Sequence, residues 1–187
     1  MNVIHHRLCR SARWRRTVRD RLLPWALNGV DITGRVLEIG PGFGATTQVL
    51  AGRPAELTAV EIDPELARRL RDHVPAQVDV VTGDGADLPF PDGRFDAVVC
   101  FTMLHHVPSA ELQDRLFAEA RRVLAPGGVF AGSDSLTGPR FRLLHLGDVL
   151  VPVDPGTLPD RLRAAGFGDV KVSTAGRALR FRARHAG

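Results

Sequence analysis

Val36-Leu37-Glu38-Ile39-Gly40-Pro41-Gly42-Phe43-Gly44-Ala45-Thr46-Thr47 is an apolar, branched run that stops abruptly at three glycines spaced two apart. A near-continuous apolar run of this length reads as a parallel strand buried on both faces. Helix-compatible residues follow from Ala45 to Leu50, so the stretch is strand, Gly-rich turn, helix. That is how a nucleotide-binding α/β unit opens. Absent side chains let the backbone come close to a ligand, and the helix start presents free N–H groups. Gly40-x-Gly42-x-x-Ala45 also satisfies the looser dinucleotide pattern, which keeps a nicotinamide or flavin oxidoreductase open.

Working outward, strands and helices alternate. Glu56–Asp63 is a second strand that ends in acid, 23 positions from Glu38 to Glu61. A carboxylate at that strand tip can accept from both vicinal hydroxyls of a ribose. Pro64 suits the first turn of a helix running to His73. Val78–Thr82 is a third strand, and Gly83-Asp84-Gly85 begins the loop beyond it. There Asp84 can accept from an exocyclic amine and Gly85 permits close backbone approach. Phe95–Cys100 is the fourth strand, followed by Phe101-Thr102-Met103-Leu104-His105-His106. A helix capped by Ser109 runs to Leu124, with Ala125-Pro126-Gly127-Gly128 as its stop. Val129–Ser133 is the fifth strand. Residues 134–153 carry Arg140, Arg142, His145 and Asp148 among apolar neighbours and read as a short substrate cap. Thr157–Ala165 is a last helix, and Asp169–Ser173 with Ala178–Arg184 a closing hairpin. The whole is an α/β, doubly wound, three-layer architecture in one domain of 187 residues.

The charge is uneven. Residues 1–21 carry seven arginines against Asp20, a net +6, while the rest of the chain is close to neutral at −2. Residues 5–23 read as a helix closed by Pro24 and Asn28-Gly29. Trp14, Val18, Leu22 and Trp25 form an apolar stripe opposite the arginines. Two readings stand: a helix packed on the sheet, or a lid over a substrate that uses Trp14, His5 and His6. A basic segment can also meet nucleic acid, although one lysine beside 24 arginines points to compositional bias rather than phosphate contacts. No membrane span or signal peptide is read, and Cys9 and Cys100 suggest neither a disulfide framework nor a metal knuckle. The protein is expected to be soluble and cytoplasmic.

Together these segments resemble the class I S-adenosylmethionine-dependent methyltransferases, above all the small-molecule group around the quinone-biosynthesis methyltransferases. The resemblance covers residues 35 to about 133 and adds Leu88-Pro89-Phe90, Phe95-Asp96-Ala97-Val98-Val99 and Leu124-Ala125-Pro126-Gly127-Gly128 to the motifs above. It implies a Rossmann-like seven-stranded sheet of order 3-2-1-4-5-7-6 with strand 7 antiparallel. It also implies S-adenosylmethionine as cofactor, with no metal. Gly40, Pro41, Gly42, Phe43 and Gly44 would pass under its methionine part and Glu38 would organise the amino group. Glu61 would hold the ribose, Ile62 one adenine face, Asp84 and Gly85 the adenine edge, and Phe101 and Thr102 the methionyl end. Gly85 departs from the commoner Gly-Asp-Ala.

No Asn/Asp-Pro-Pro-aromatic motif follows the fourth strand, which favours a small-molecule acceptor over nucleic acid. The expected acceptor is apolar, such as a fatty or aromatic carboxylate, with Trp14, His5, His6, Arg140 and His145 beside it. Alternatives are an RNA methyltransferase using the arginine-rich helix, a C-methyltransferase on a quinone-like ring, or a protein that keeps the cofactor without the chemistry. A carboxylate needs no base, so neither His105 nor His106 is expected to be worth more than about tenfold in turnover. A phenol or activated carbon would need one of them.

Overall fold

The computed structural model describes residues 3–186, with the side chains of Val3, Ile4, His5 and Arg140 outside the described set. Its strands are β1 (Arg35–Ile39), β2 (Glu56–Glu61), β3 (Val78–Thr82), β4 (Phe95–Phe101), β5 (Leu124–Ser135), β6 (Phe167–Ala175) and β7 (Ala178–His185). They form one sheet in the order β3-β2-β1-β4-β5-β7-β6, with β7 antiparallel to both neighbours. This is the order expected from the sequence.

Side chains alternate across a strand, so a strand buried on both faces feeds two cores. Leu37 and Ile39 join Val98, Phe117 and Phe130 on one face, while Val36 joins Val99, Ala131 and Leu50 on the other. Glu38 shares Val36's face and is therefore carried inside. β1 lies between β2 and β4, where the chain's crossovers switch sides, and the Gly-rich turn leaves the sheet at that point. Open α/β sheets bind ligands there.

The N-terminal segment departs from a single 5–23 helix. Helices α1 (Val3–Cys9) and α2 (Ala12–Thr17) are separated by Arg10–Ser11, because the Ser11 side chain caps α2 by accepting from the Trp14 N–H at 3.0 Å. Pro24 does not end the helix. A wider π turn over Val18–Leu22, closed by Leu23 N–H to Val18 O, absorbs the missing donor and the ring, and α3 (Leu23–Ala26) continues through Pro24. Val18, Leu23, Ala26 and Leu27 are core residues. β7 ties this segment down, through Arg180 to the Trp25 carbonyl at 2.5 Å and Arg182 to that of Gly29 at 3.0 Å.

Elsewhere the helices are α4 (Thr47–Leu50), α5 (Pro64–His73), α6 (Ala110–Val123), α7 (Pro139–Leu144) and α8 (Leu158–Ala164). The Ala125–Gly128 stretch read as a stop is an irregular opening of β5: Leu124 pairs with Phe95 before the register resumes at Val129 and Ala97. Arg122 of α6 clamps the loop after β3, donating to the Leu88 and Phe90 carbonyls and to Asp92 and Glu119. No helix among the described residues is long and apolar enough to cross a membrane.

Candidate active site

A cavity of about 590 Å³ opens at the carboxyl ends of β1, β2 and β4. Its floor is the glycine turn. Gly42 has φ +55°, and a side chain added there would meet nothing within 4 Å, so its backbone faces open space. Its N–H donates to Glu61 Oε2 at 2.8 Å. Gly44, at φ +74°, holds a backbone conformation that other residues rarely adopt, and a Cβ there would press on the Leu70 side chain of α5. Pro41 is buried, and the half-buried Phe43 ring meets His6 edge-on at 5.1 Å.

Glu38 is 1 % exposed. One carboxylate oxygen accepts from the Thr46 hydroxyl, while Oε2 is buried without a hydrogen-bond partner among the described residues. Burial is the main cause that pushes its pKa up to about 7, with the Thr46 and Thr47 hydroxyls offsetting part of it. A group raised from 4.5 to about 7 on folding favours the free folded protein below pH 4.5, and that contribution is lost as the pH rises through 7. A cationic amino group beside Glu38 would reverse the preference and expel the proton. Titration calorimetry of S-adenosylhomocysteine at pH 6 is therefore expected to show release of roughly one proton, read as heat that depends on the buffer's ionisation enthalpy, and affinity that rises up to about pH 7. Buffer-independent heat would remove Glu38 from the amino-group site.

Glu61, 4 % exposed, ends β2 with its carboxylate already held by two backbone donors, Gly42 N–H and Asp63 N–H, the latter at 3.1 Å. Burial raises its pKa and those donors lower it again. Each oxygen keeps a further lone pair for a ligand hydroxyl. Next to it Ile62 is 64 % exposed, an apolar face at the cavity wall. Asp84 forms a turn with the Ala86 N–H at 2.9 Å. Gly85 explains its own departure from alanine: a Cβ there would sit 2.7 Å from Ile39 Cγ2 and 3.1 Å from Leu116 Cδ1. Beyond β4, Phe101 is buried, and Thr102 has φ +51°, the left-handed region rarely adopted outside glycine. Its N–H donates to the Ser133 carbonyl at 2.8 Å.

The opposite end of the cavity is a corner of three histidines. His105 is buried, and its Nδ1 lies 2.5 Å from Asp134 Oδ1 while its own N–H donates to Asp134 Oδ2 at 3.0 Å. The turn is held rigidly. His105 O accepts from Val151 N–H at 2.8 Å, and Gln113 Nε2 donates to Leu104 O at 3.0 Å and Val151 O at 2.9 Å. His105 Nε2 remains buried without a hydrogen-bond partner among the described residues. His145 follows α7 and bonds the Phe141 carbonyl through Nδ1 at 2.8 Å; burial lowers its pKa. The rings of His105, His106 and His145 lie 4.2–5.2 Å apart by centroid. Asp134 and Gln113 escaped the sequence reading. An acid at the end of an apolar strand is the one signal that could have found Asp134.

Every proposed cofactor residue borders this cavity except Glu38 and Gly44. Of the proposed acceptor residues, His6, Trp14 and His145 also border it. The side chains of His5 and Arg140 lie outside the described residues, and Arg142 is exposed away from it. Leu8, Cys9, Met103, Leu112, Phe141 and Leu144 make the acceptor half mostly apolar. The orphaned Glu38 oxygen, the open Gly42 backbone and the half-used Glu61 carboxylate fit the amino acid and ribose parts of S-adenosylmethionine.

Residues 37–132 match the family model described as "Methyltransferase domain". The fatty-acid O-methyltransferase of Mycolicibacterium smegmatis is 38% identical over 109 residues, 56% of this chain and 39% of that protein. The ubiquinone biosynthesis O-methyltransferase of Xanthomonas oryzae pv. oryzae is 36% identical over 124 residues, 63% of this chain and 51% of its own length. The chain thus spans about half or less of these curated relatives. Among solved structures, DhpI in complex with SAM and HEP superposes with a TM-score of 0.71 at 28% identity, covering 86% of this chain and 84% of that one. The glycine turn, the acid at the tip of β2, the sheet order and the matched residues place this chain in the class I S-adenosylmethionine-dependent methyltransferase family.

Proposed function

We propose that this chain transfers a methyl group from S-adenosylmethionine to a small, largely apolar acceptor whose single polar oxygen meets His105. The observation that carries the reading is the buried His105–Asp134 pair, with His105 lining the same cavity as the glycine turn. The cofactor supplies a sulfonium-activated methyl group. The chain's residues hold it over Gly42 and set the acceptor oxygen in line, which accounts for much of the rate in a displacement of this kind. An oxygen lone pair forms the new bond to carbon, the old S–C pair stays on sulfur, and the acceptor's proton leaves at the histidine corner.

That pair changes the choice of acceptor. The carboxylate expectation needs no base after β4, yet Asp134 on β5 pairs with His105 there. A histidine so held serves acceptors that carry a proton, such as a phenol, hydroxyl or enol. A fatty carboxylate remains the second reading, supported by the apolar walls around Phe141 and Leu144. Mass spectrometry of products from a mixed panel of phenols, quinols, hydroxy lipids and free acids, with isotope-labelled cofactor, tests both. Methyl esters from acids alone, at a rate flat between pH 6 and 9, would reject the favoured reading.

The N-terminal segment fits a lid. His6 and Trp14 border the cavity, Trp14 also packs against the core, and Val18, Leu23, Ala26 and Leu27 lie within it. Deleting residues 1–16 is expected to leave a folded chain that binds cofactor and to abolish most acceptor turnover. An unchanged turnover number would reject the lid.

A further inference from the structure

We infer that the histidine corner binds one divalent transition-metal cation of the zinc class. His105, His106 and His145 each offer one ring nitrogen, and the three nitrogens lie within 4.8 Å of one another. The outer contacts are those a metal-binding imidazole uses. His105 directs Nδ1 to the Asp134 carboxylate and His145 directs Nδ1 to the Phe141 carbonyl. A carbonyl or carboxylate only accepts, so both Nδ1 atoms carry hydrogen, and it is Nε2 of each ring, in the neutral form, that would present a lone pair to a cation. For His105 that lone pair is buried among groups that offer it no donor.

The donor set selects the metal. Three imidazoles without thiolate suit Zn²⁺, Co²⁺, Ni²⁺ or Cu²⁺ and not Mg²⁺ or Ca²⁺. A tetrahedral ion with bonds near 2.0–2.1 Å holds its nitrogens about 3.4 Å apart, so the corner must tighten by roughly an ångström. His105 and His106 sit on a turn held by Asp134, Gln113 and Val151. His145 follows a six-residue helix on the outer side of the cleft, so the closing movement falls to it.

Three protein ligands leave a fourth position, the arrangement of catalytic rather than structural zinc. The histidines border the acceptor half of the cavity, so that position faces the acceptor. This rests on the reading that the acceptor's oxygen enters at the histidine corner. With the ion in place, Nε2 of His105 would carry metal, the oxygen would take the open position and its proton would pass to solvent. None of the three histidines would then take the proton itself.

Tag-free full-length protein, stripped with chelator and dialysed, is titrated with Zn²⁺ alone by calorimetry and with Co²⁺ alone by visible absorption. One ion per chain is expected, with the intense visible bands of tetrahedral Co²⁺, which Zn²⁺ displaces. His105→Ala and His145→Ala should each weaken the affinity by about 100-fold or more, while His73→Ala, an exposed site on α5, should not change it. Retained binding of S-adenosylhomocysteine shows that the variants fold, and the Co²⁺ spectrum needs no variant. No saturable binding in the wild type, or affinity unaltered in both variants, overturns the site. Full turnover by the chelated enzyme also overturns it and leaves the methyltransferase reading intact. A bound ion with no product from any acceptor supports the site and removes that reading instead.

Discussion

His105→Ala is expected to lower turnover by about 10²- to 10⁴-fold while leaving affinity for S-adenosylhomocysteine within a factor of about two. The range is that of a group which ionises the acceptor, by taking its proton or by holding an ion that does so. Affinity is spared because His105 stands at the acceptor end of the cavity, away from Glu38 and Glu61. Asp134→Asn tests the same assembly from behind. It keeps the shape of the side chain while removing the charge that fixes the ring, so it should lose turnover with little change in acceptor KM. Steady-state kinetics with any acceptor found by the panel, alongside cofactor calorimetry, measures both variants. A turnover loss under tenfold in His105→Ala would return the carboxylate reading to first place, since an ionised acid needs no help.

Glu61→Ala is expected to weaken cofactor binding by about 30- to 150-fold, equivalent to about 2–3 kcal/mol. Part of that loss is indirect. The carboxylate also accepts from the backbone N–H groups of Gly42 and Asp63, so removing it loosens the glycine turn as well as the ribose contact. Glu61→Gln keeps one acceptor oxygen for one of those donors and turns an NH2 towards the other, so it loosens the turn less than alanine does. The glutamine variant should melt between alanine and wild type and bind S-adenosylhomocysteine more weakly than wild type. Equal affinity in wild type and alanine variant would place the ribose elsewhere.

The cavity wall proposed for the cofactor was readable because its determinants are local in sequence. An apolar run that ends in glycines, and an acid at the next strand tip, each declare themselves within about ten residues, and the sheet order brings them together. The acceptor half was not, because its determinants are tertiary. His105 meets Asp134 across 29 positions, and Gln113 reaches Val151 across 38. Neither spacing has a period or motif to betray it. The N-terminal helix was misjudged for a different reason. Pro24 signals an end locally, yet the π turn before it and the core burial of Leu23 and Ala26 carry the helix past it. Gly85 looked like a blemish in a motif until the approach of Ile39 and Leu116 gave it a cause.

The bonds from β7 to the Trp25 and Gly29 carbonyls join groups 155 and 153 positions apart. During synthesis the first helices leave the ribosome long before the strand that anchors them, and closing so wide a loop is among the slower steps of folding. β7 also stands between β5 and β6, so the sheet itself is unfinished until that strand arrives. A nascent chain presents the glycine turn and the acid of β2 early, while the segment that carries His6 and Trp14 to the cavity still lacks both anchors.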